Sequence, residues 1–267
     1  MRKWNWIPAL ALAAAMLTAC ASEGAPTAGS ASPTAGTPGV TATPASETPD
    51  GWTLTRCRIV DGAETGKLIL AGEGTYNVYT LDVTDMVVTL DGGSSGPSEL
   101  RDGMWVDVGH TGLILETFPA QFADARTVAG NTEGLDDRFG LCLQVLEDLW
   151  AVDPGLNEGI TELGVDFSGL TGFSDSEKAA VAYAFGMAHG IMPITGTYEE
   201  LVEQGYIDGE ELLWDDGCLF SITGSLEEGF EAQKWRSGLG AYFYTDCTAK
   251  MAKDGAWSYE IGGEAIS

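Results

Sequence analysis

Basic residues are scarce in this chain of 267 residues: 13 lysines and arginines stand against 40 aspartates and glutamates, a formal charge of −27 at pH 7. Such a chain is repelled by phosphate backbones and by anionic lipid headgroups, which argues against a nucleic-acid partner. Histidine is almost as rare, with only His110 and His189. A serine or cysteine nucleophile would have to draw its base from those two positions. The sequence carries no CxxC, no HExxH, no Walker loop and no dinucleotide fingerprint, so no catalytic set, metal site or cofactor is expected from motifs. No apolar run reaches the roughly 20 residues that a spanning helix needs.

The longest uncharged apolar stretch, Ile7 to Ala19, follows the positive start Met1-Arg2-Lys3. That arrangement is the charged and apolar part of a secretory signal, here residues 1–19. Leu17-Thr18-Ala19-Cys20 resembles the lipobox of bacterial lipoproteins. The resemblance implies cleavage before Cys20, diacylglycerol on its sulfur, and acylation of the new N-terminus. Two or three acyl chains make a firm anchor, each buried methylene contributing about 0.8 kcal/mol. After Cys20, residues 21–50 are Ala, Gly, Ser, Thr and Pro apart from Glu23, Val40, Glu47 and Asp50. Such a composition buries too little to offset chain entropy. It is expected to act as a disordered linker on the order of 30 Å long as a coil. The expected location is the cell membrane, lipid-anchored and facing the extracytoplasmic side.

The remainder divides by pattern into two expected domains, 51–130 and 135–267. The first reads as short strands closed by glycine-rich turns: 52–60, 66–72, 78–83, 86–90, 104–108, 113–117 and 122–128. The stretch RDGMWVDVGHTGLILETFPAQFADARTV is similar to the OB-like barrel of secreted lipoproteins of Gram-positive bacteria, which implies a small antiparallel barrel and no particular activity. In the second, Phe139, Cys142, Leu146 and Leu149 form one helical stripe over 135–152. Ser174 and Glu177 form a capping box that opens a helix ended by Gly190. A short helix is expected over 198–204 and strands over 160–170, 218–225, 240–250 and 256–261. The expectation is an α+β fold, one layer of helices on a curved antiparallel sheet. Its element order resembles cystatin-like or NTF2-like folds. KWRSGLGAYFYTDCTA and WSYEIGGEAIS resemble uncharacterised exported proteins of Gram-positive gut bacteria.

Besides Cys20 there are Cys57, Cys142, Cys218 and Cys247, which in an exported protein are either disulfide-paired or buried free thiols. Gly92-Gly-Ser-Ser-Gly96 matches a nucleophile elbow by letter, but Pro97 follows and no helix does, so it reads as a turn. His110 is expected in a hairpin turn and His189 at a helix end. The pairs Asp136/Asp137, Asp215/Asp216 and Glu227/Glu228 read as solvated surface. Trp235, Arg236, Tyr242 and Tyr244 are the candidate ligand-binding residues, either as an exposed aromatic face or as core. The leading expectation is a non-enzymatic binding, sensing or interaction module with an envelope ligand or protein. The alternatives are an extracytoplasmic hydrolase using acidic residues of the C-terminal domain and, from the cystatin-like order, an inhibitor of an exported enzyme. Cys20→Ser is expected to lose palmitate labelling and leave the membrane fraction; a variant that still sediments with membranes and takes up the label defeats the anchor.

Overall fold

In the computed structural model, residues 51–267 are described. The expected signal, Cys20 and the linker lie outside them. The described chain is mostly β, with two mixed sheets and three α-helices. The first sheet comprises β1 (Thr53–Asp61), β2 (Lys67–Gly72), β3 (Val78–Asp82), β4 (Val87–Leu90), β5 (Gly93–Ser95), β6 (Trp105–His110), β7 (Ile114–Leu115), β8 (Ala120–Phe122) and β9 (Thr127–Asn131). The rest comprises α1 (Arg138–Ala151), β10 (Glu162–Asp166), α2 (Asp175–Ala188), β11 (Pro193–Thr195), α3 (Tyr198–Glu203), β12 (Gly217–Ser225), β13 (Gly229–Ser237), β14 (Gly240–Met251), β15 (Trp257–Glu260) and β16 (Gly263–Ile266).

The strand order of the first sheet is β5-β4-β9-β6-β1-β2-β3-β8-β7. Both expected antiparallel sheets are in fact mixed. Here β3 pairs with β8 and β4 with β9 in parallel. Residues 83–86 join β3 to β4 and residues 123–126 join β8 to β9, so the two ends of the ladder meet and the sheet curls back on itself. In the second sheet, ordered β11-β10-β12-β13-β14-β15 with β16 on β14, β10 lies parallel to both neighbours. Side-chain alternation reports which residues face the core, not which way a strand runs. The crossover helix α2 between β10 and β11 supplies the long connection that a parallel pair needs.

Helices cover both faces of the second sheet, not one. Cys218, Phe220 and Ile222 of β12 pack in the main core with α1 and α2, while Leu219 packs with Leu201, Ile207 and Trp214 on the α3 side. The expected α1 stripe is fully enclosed. The α2 capping box is formed, Glu177 N–H donating to Ser174 Oγ and Ser174 N–H to Glu177 Oε2. Strand β13 was hidden in the sequence because a lysine occupies an inward position. Lys234 is 0 % exposed. Its ammonium donates to Val152 O, to Asp153 O at 3.1 Å and to Asn157 Oδ1 at 2.8 Å, just beyond α1. A cation suits that end of a helix.

The two sheets share a core. In β2, Leu68 and Leu70 point into the first sheet's own core, while Ala71 joins Val60 and Val78 in the core built around α1 and α2. This two-sided burial is why β2 reads as a continuous apolar run. Polar contacts tie the same junction. Arg58 of β1 donates to Gly103 O at 3.1 Å and Asp136 O at 3.1 Å. The Asp136 carboxylate accepts two bonds from Arg138, at 2.9 and 2.6 Å, and one from Trp257 Nε1 at 2.6 Å. Arg138 reaches on to Gly172 O and Glu227. Burial opposes ionisation of Asp136, but the bonds from Arg138 and Trp257 outweigh it and hold this carboxyl below its ordinary value.

Removing one member of a buried ion pair leaves its partner uncompensated. The Arg58, Asp136 and Arg138 side chains are only 11–19 % exposed. Asp136→Ala is therefore expected to cost about 3 kcal/mol in urea unfolding. Glu73→Ala, which removes the exposed partner of Arg56, is expected to cost less than about 1 kcal/mol. Equal costs would show that the junction is no more than a surface ion pair.

Candidate functional site

An open groove of about 770 Å³ lies against α2. Its origin lies in strand register. The parallel pairing of β3 with β8 ends at Thr80↔Gln121, and parallel pairing resumes only at Val87↔Thr127. Between those points the two chain segments splay. Local bonds occupy part of the freed backbone: Val83 N–H donates to Gly66 O and Ala123 N–H to Leu113 O. Asp82 accepts from the Thr84 amide and hydroxyl, and Asp124 from those of Thr111. The gap exposes one flank of the first core.

Leu68, Ile69, Leu81, Met86, Phe122 and Ala125 line the groove from the sheet side, and Tyr183 and Met187 line it from α2. Lys67, Thr80, Asp82, Gln121 and Asp124 supply polar groups. Phe118, 58 % exposed, stands edge-on to Tyr183 at 5.9 Å, and Leu113 and Leu115 are exposed on the same strand–turn segment. An apolar concavity of this size with a few convergent polar groups is the usual form of a small-ligand site. Tyr183 and Met187 stand one turn apart, beside the buried Ala180 and Ala184 stripe. A Tyr and Met at i, i+4 in an alanine-rich helix was the available sequence signal.

The residues singled out from sequence do not form one surface. Tyr242 and Tyr244 are buried in the core against α1, 7 % and 5 % exposed. The Tyr242 hydroxyl bonds to Glu264. Trp235 lies on the opposite face, half-buried and edge-on to Tyr198 at 5.1 Å. Arg236 is held by Glu158 O at 3.0 Å and Asp215 O at 2.7 Å. Cys247 shares the Tyr face, contrary to strict alternation. A bulge, with Asp246 at φ +52°, inserts one residue and turns Cys247 inward. Cys57, Cys142, Cys218 and Cys247 are all buried free thiols. Burial pushes the first three up to about 12 and Cys247 to about 11, which keeps them protonated and unreactive.

His110 ends β6 and is enclosed, not in a turn. Its Nε2 lies 2.8 Å from Thr55 Oγ1, and its Nδ1 accepts from Gly112 N–H. Burial lowers its pKa. His189 follows α2, stacked on Trp150 at 3.6 Å and bonded to Glu147 at 3.0 Å. Of the paired carboxylates, Asp137 caps α1 through Gly140 N–H and Glu227 joins Arg138. The backbone of Asp215 and Asp216 accepts from Arg236, Thr161 and Glu162.

Two carboxyls at the head of α1 titrate high. Burial pushes Asp102 up to about 6, against the bond it accepts from Ala63 N–H. Burial also raises Asp137. Neither lines the groove. Comparison with protein-family models, with curated proteins and with solved structures finds no match to this chain.

A carboxyl whose folded pKa lies above its unfolded value of about 3.9 retains a proton that the unfolded chain has lost, so stability falls as pH rises through that window. For Asp102 the window runs from about pH 4 to about 6. Asp102→Asn is expected to flatten the decline of the urea midpoint between those pH values and to be the more stable protein at pH 7. An unchanged slope would mean that Asp102 ionises normally in the fold.

Proposed function

We propose that this protein is a membrane-anchored extracytoplasmic lipoprotein whose folded part is a non-enzymatic binding module, and that the groove between the first sheet and α2 is its ligand site. The address rests on the signal-like start and on Leu17-Thr18-Ala19-Cys20. The binding role rests on one observation: the groove of about 770 Å³ where β3 and β8 part, lined by Leu81, Met86, Phe122, Tyr183 and Met187.

The strand connections support an OB-like reading of the expected domain 51–130. With β3 and β4 taken as one bent strand and β8 and β9 as another, the order closes as first, second, third, fifth, fourth, first, with the third and fifth parallel. In OB folds the face of the second and third strands, with the loop joining the last two, binds oligomers. The groove uses that face, and Phe118 and Leu115 belong to that loop. The antiparallel run of β12, β13 and β14 supports a cystatin-like or NTF2-like reading of residues 135–267. Their parallel strands β10 and β11 depart from that order.

The strongly negative chain disfavours polyanions. The ligand is therefore a neutral or cationic envelope component with an apolar face, contacting Phe122 and Tyr183 and hydrogen-bonding to Gln121 and Thr80. Methionines at positions 86 and 187 allow the walls to adapt to its shape. Uncharged glycan oligomers, apolar peptides and acyl glycerols, titrated singly, are expected to yield a ligand that raises Tm and shifts amide resonances of Gln121 and Ala123. Ala123→Trp at the groove lip should weaken it about tenfold or more, roughly 1.4 kcal/mol. Full affinity in Ala123→Trp, or no Tm shift from any of the three classes, overturns the assignment.

A further inference from the structure

The second sheet has its own crevice, away from the groove, and topology explains it. The chain leaves β10 for α2 on one face of the sheet, where Phe185 meets Phe220 edge-on at 5.0 Å. It leaves the adjacent parallel strand β11 for α3 on the other face, where Leu201 packs with Leu219. Neighbouring parallel strands whose connections depart to opposite faces leave a gap beyond their carboxyl ends, and open α/β sheets bind ligands in such gaps. A crevice of about 360 Å³ lies there, lined by Asp166 and Phe167 after β10, by Asp175 and Lys178 on α2, and by Thr195 and Glu200 around β11 and α3.

We propose that this crevice is a second binding site, independent of the groove, for a small organic amine carried as its ammonium ion. Three carboxylates, Asp166, Asp175 and Glu200, face one lysine, Lys178, so the lining is net negative in a chain already strongly negative. Two of the carboxylates are held in place. Asp166 Oδ1 accepts the Ser168 N–H at 2.8 Å, and Glu200 Oε2 accepts the Thr197 N–H at 2.9 Å. Among the described residues Lys178 stands in no ion pair, which leaves it to meet a ligand carboxylate or hydroxyl. Ser168, Thr195 and Thr197 add neutral polar groups, and buried Phe167 gives an apolar wall. Among the described residues no three histidine, cysteine, aspartate or glutamate side chains converge as a metal site. The spread of these carboxylates therefore suits a multi-atom cation better than a bare metal ion. The volume fits a molecule of amino-acid size.

Lysine and norleucine share a backbone and differ by the side-chain ammonium, and glutamate reverses the charge. In amide-resolved titrations of the whole protein, lysine is expected to shift Ser168 and Gly196 saturably, norleucine to bind about tenfold more weakly, and glutamate not at all. Asp175→Asn should weaken lysine about tenfold. Lys178→Met, which removes the partner of the ligand's α-carboxylate at a half-buried position, should weaken lysine several-fold and serves as the second variant should Asp175→Asn perturb α2. Ala123→Trp should leave lysine binding unchanged, so failure of the groove and failure of the crevice are read separately. Equal affinity for lysine and norleucine, shifts confined to Gln121 and Met187, or no saturable shift at all overturns the proposal.

Discussion

The meeting of Arg58, Asp136 and Arg138 is the constraint on which the remaining geometry depends. Arg58 comes from the first sheet, Asp136 from the segment after β9, and Arg138 from the first turn of α1. One carboxylate therefore fixes the start of α1 against β1. Its neighbour Trp257 fixes β15 to the same point. The approach is close enough that Gly103 has to be glycine: its φ is +83°, and a Cβ there would lie 2.6 Å from the Asp136 carbonyl. Two such groups cannot be drawn together by apolar burial alone, since burial is non-directional. The ion pair sets direction, and the shared core of Val60, Ala71, Phe139 and Phe185 supplies the area. With α1 and α2 so placed, Tyr183 and Met187 face the gap between β3 and β8. Without that placement the gap would be an open edge of a small sheet, not one wall of a groove.

Much of this was legible in the sequence where the signal is local. The stripe Phe139, Cys142, Leu146, Leu149 and the pair Ser174 and Glu177 each encode their element within four residues of spacing, and both elements stand where they were expected. Periodicity failed where the determinant is distant. Lys234 reads as a surface residue until the carbonyls after α1 are seen to surround it. The single left-handed residue Asp246 reverses the face of everything after it in β14, so alternation placed Cys247 opposite the tyrosines. Strand direction leaves no trace in alternation, so none of the four parallel pairings could be read. The groove was invisible for the same reason. It is made by two strands that stop pairing, and a loss of register between segments some forty residues apart has no signature in either segment alone. Trp235 and Tyr242 face opposite sides of the sheet, because Trp235 pairs with Ala241, the neighbour of Tyr242 along β14, and the tyrosines take the core position the sequence had left open.

Four of the basic residues are used inward. Arg58, Arg138, Lys234 and Arg236 all donate to backbone carbonyls that would otherwise lie unpaired at element ends. A carbonyl buried without a donor costs about 1–3 kcal/mol, and a long basic side chain can close several at once. The consequence reaches function. With these four turned toward the interior, the solvent-facing surface of the described residues is more acidic than composition alone states, because most of their carboxylates stay exposed or half-exposed. Such a surface is repelled by anionic headgroups. It also raises the local concentration of cations at any concave site. The apolar groove gains little from that field, because its walls are mostly uncharged. The crevice at the ends of β10 and β11 gains directly, because its lining carries the same sign as the field around it. Two cavities of one fold thus meet different chemistry, because Arg58, Arg138, Lys234 and Arg236 are spent on backbone carbonyls and not on the surface.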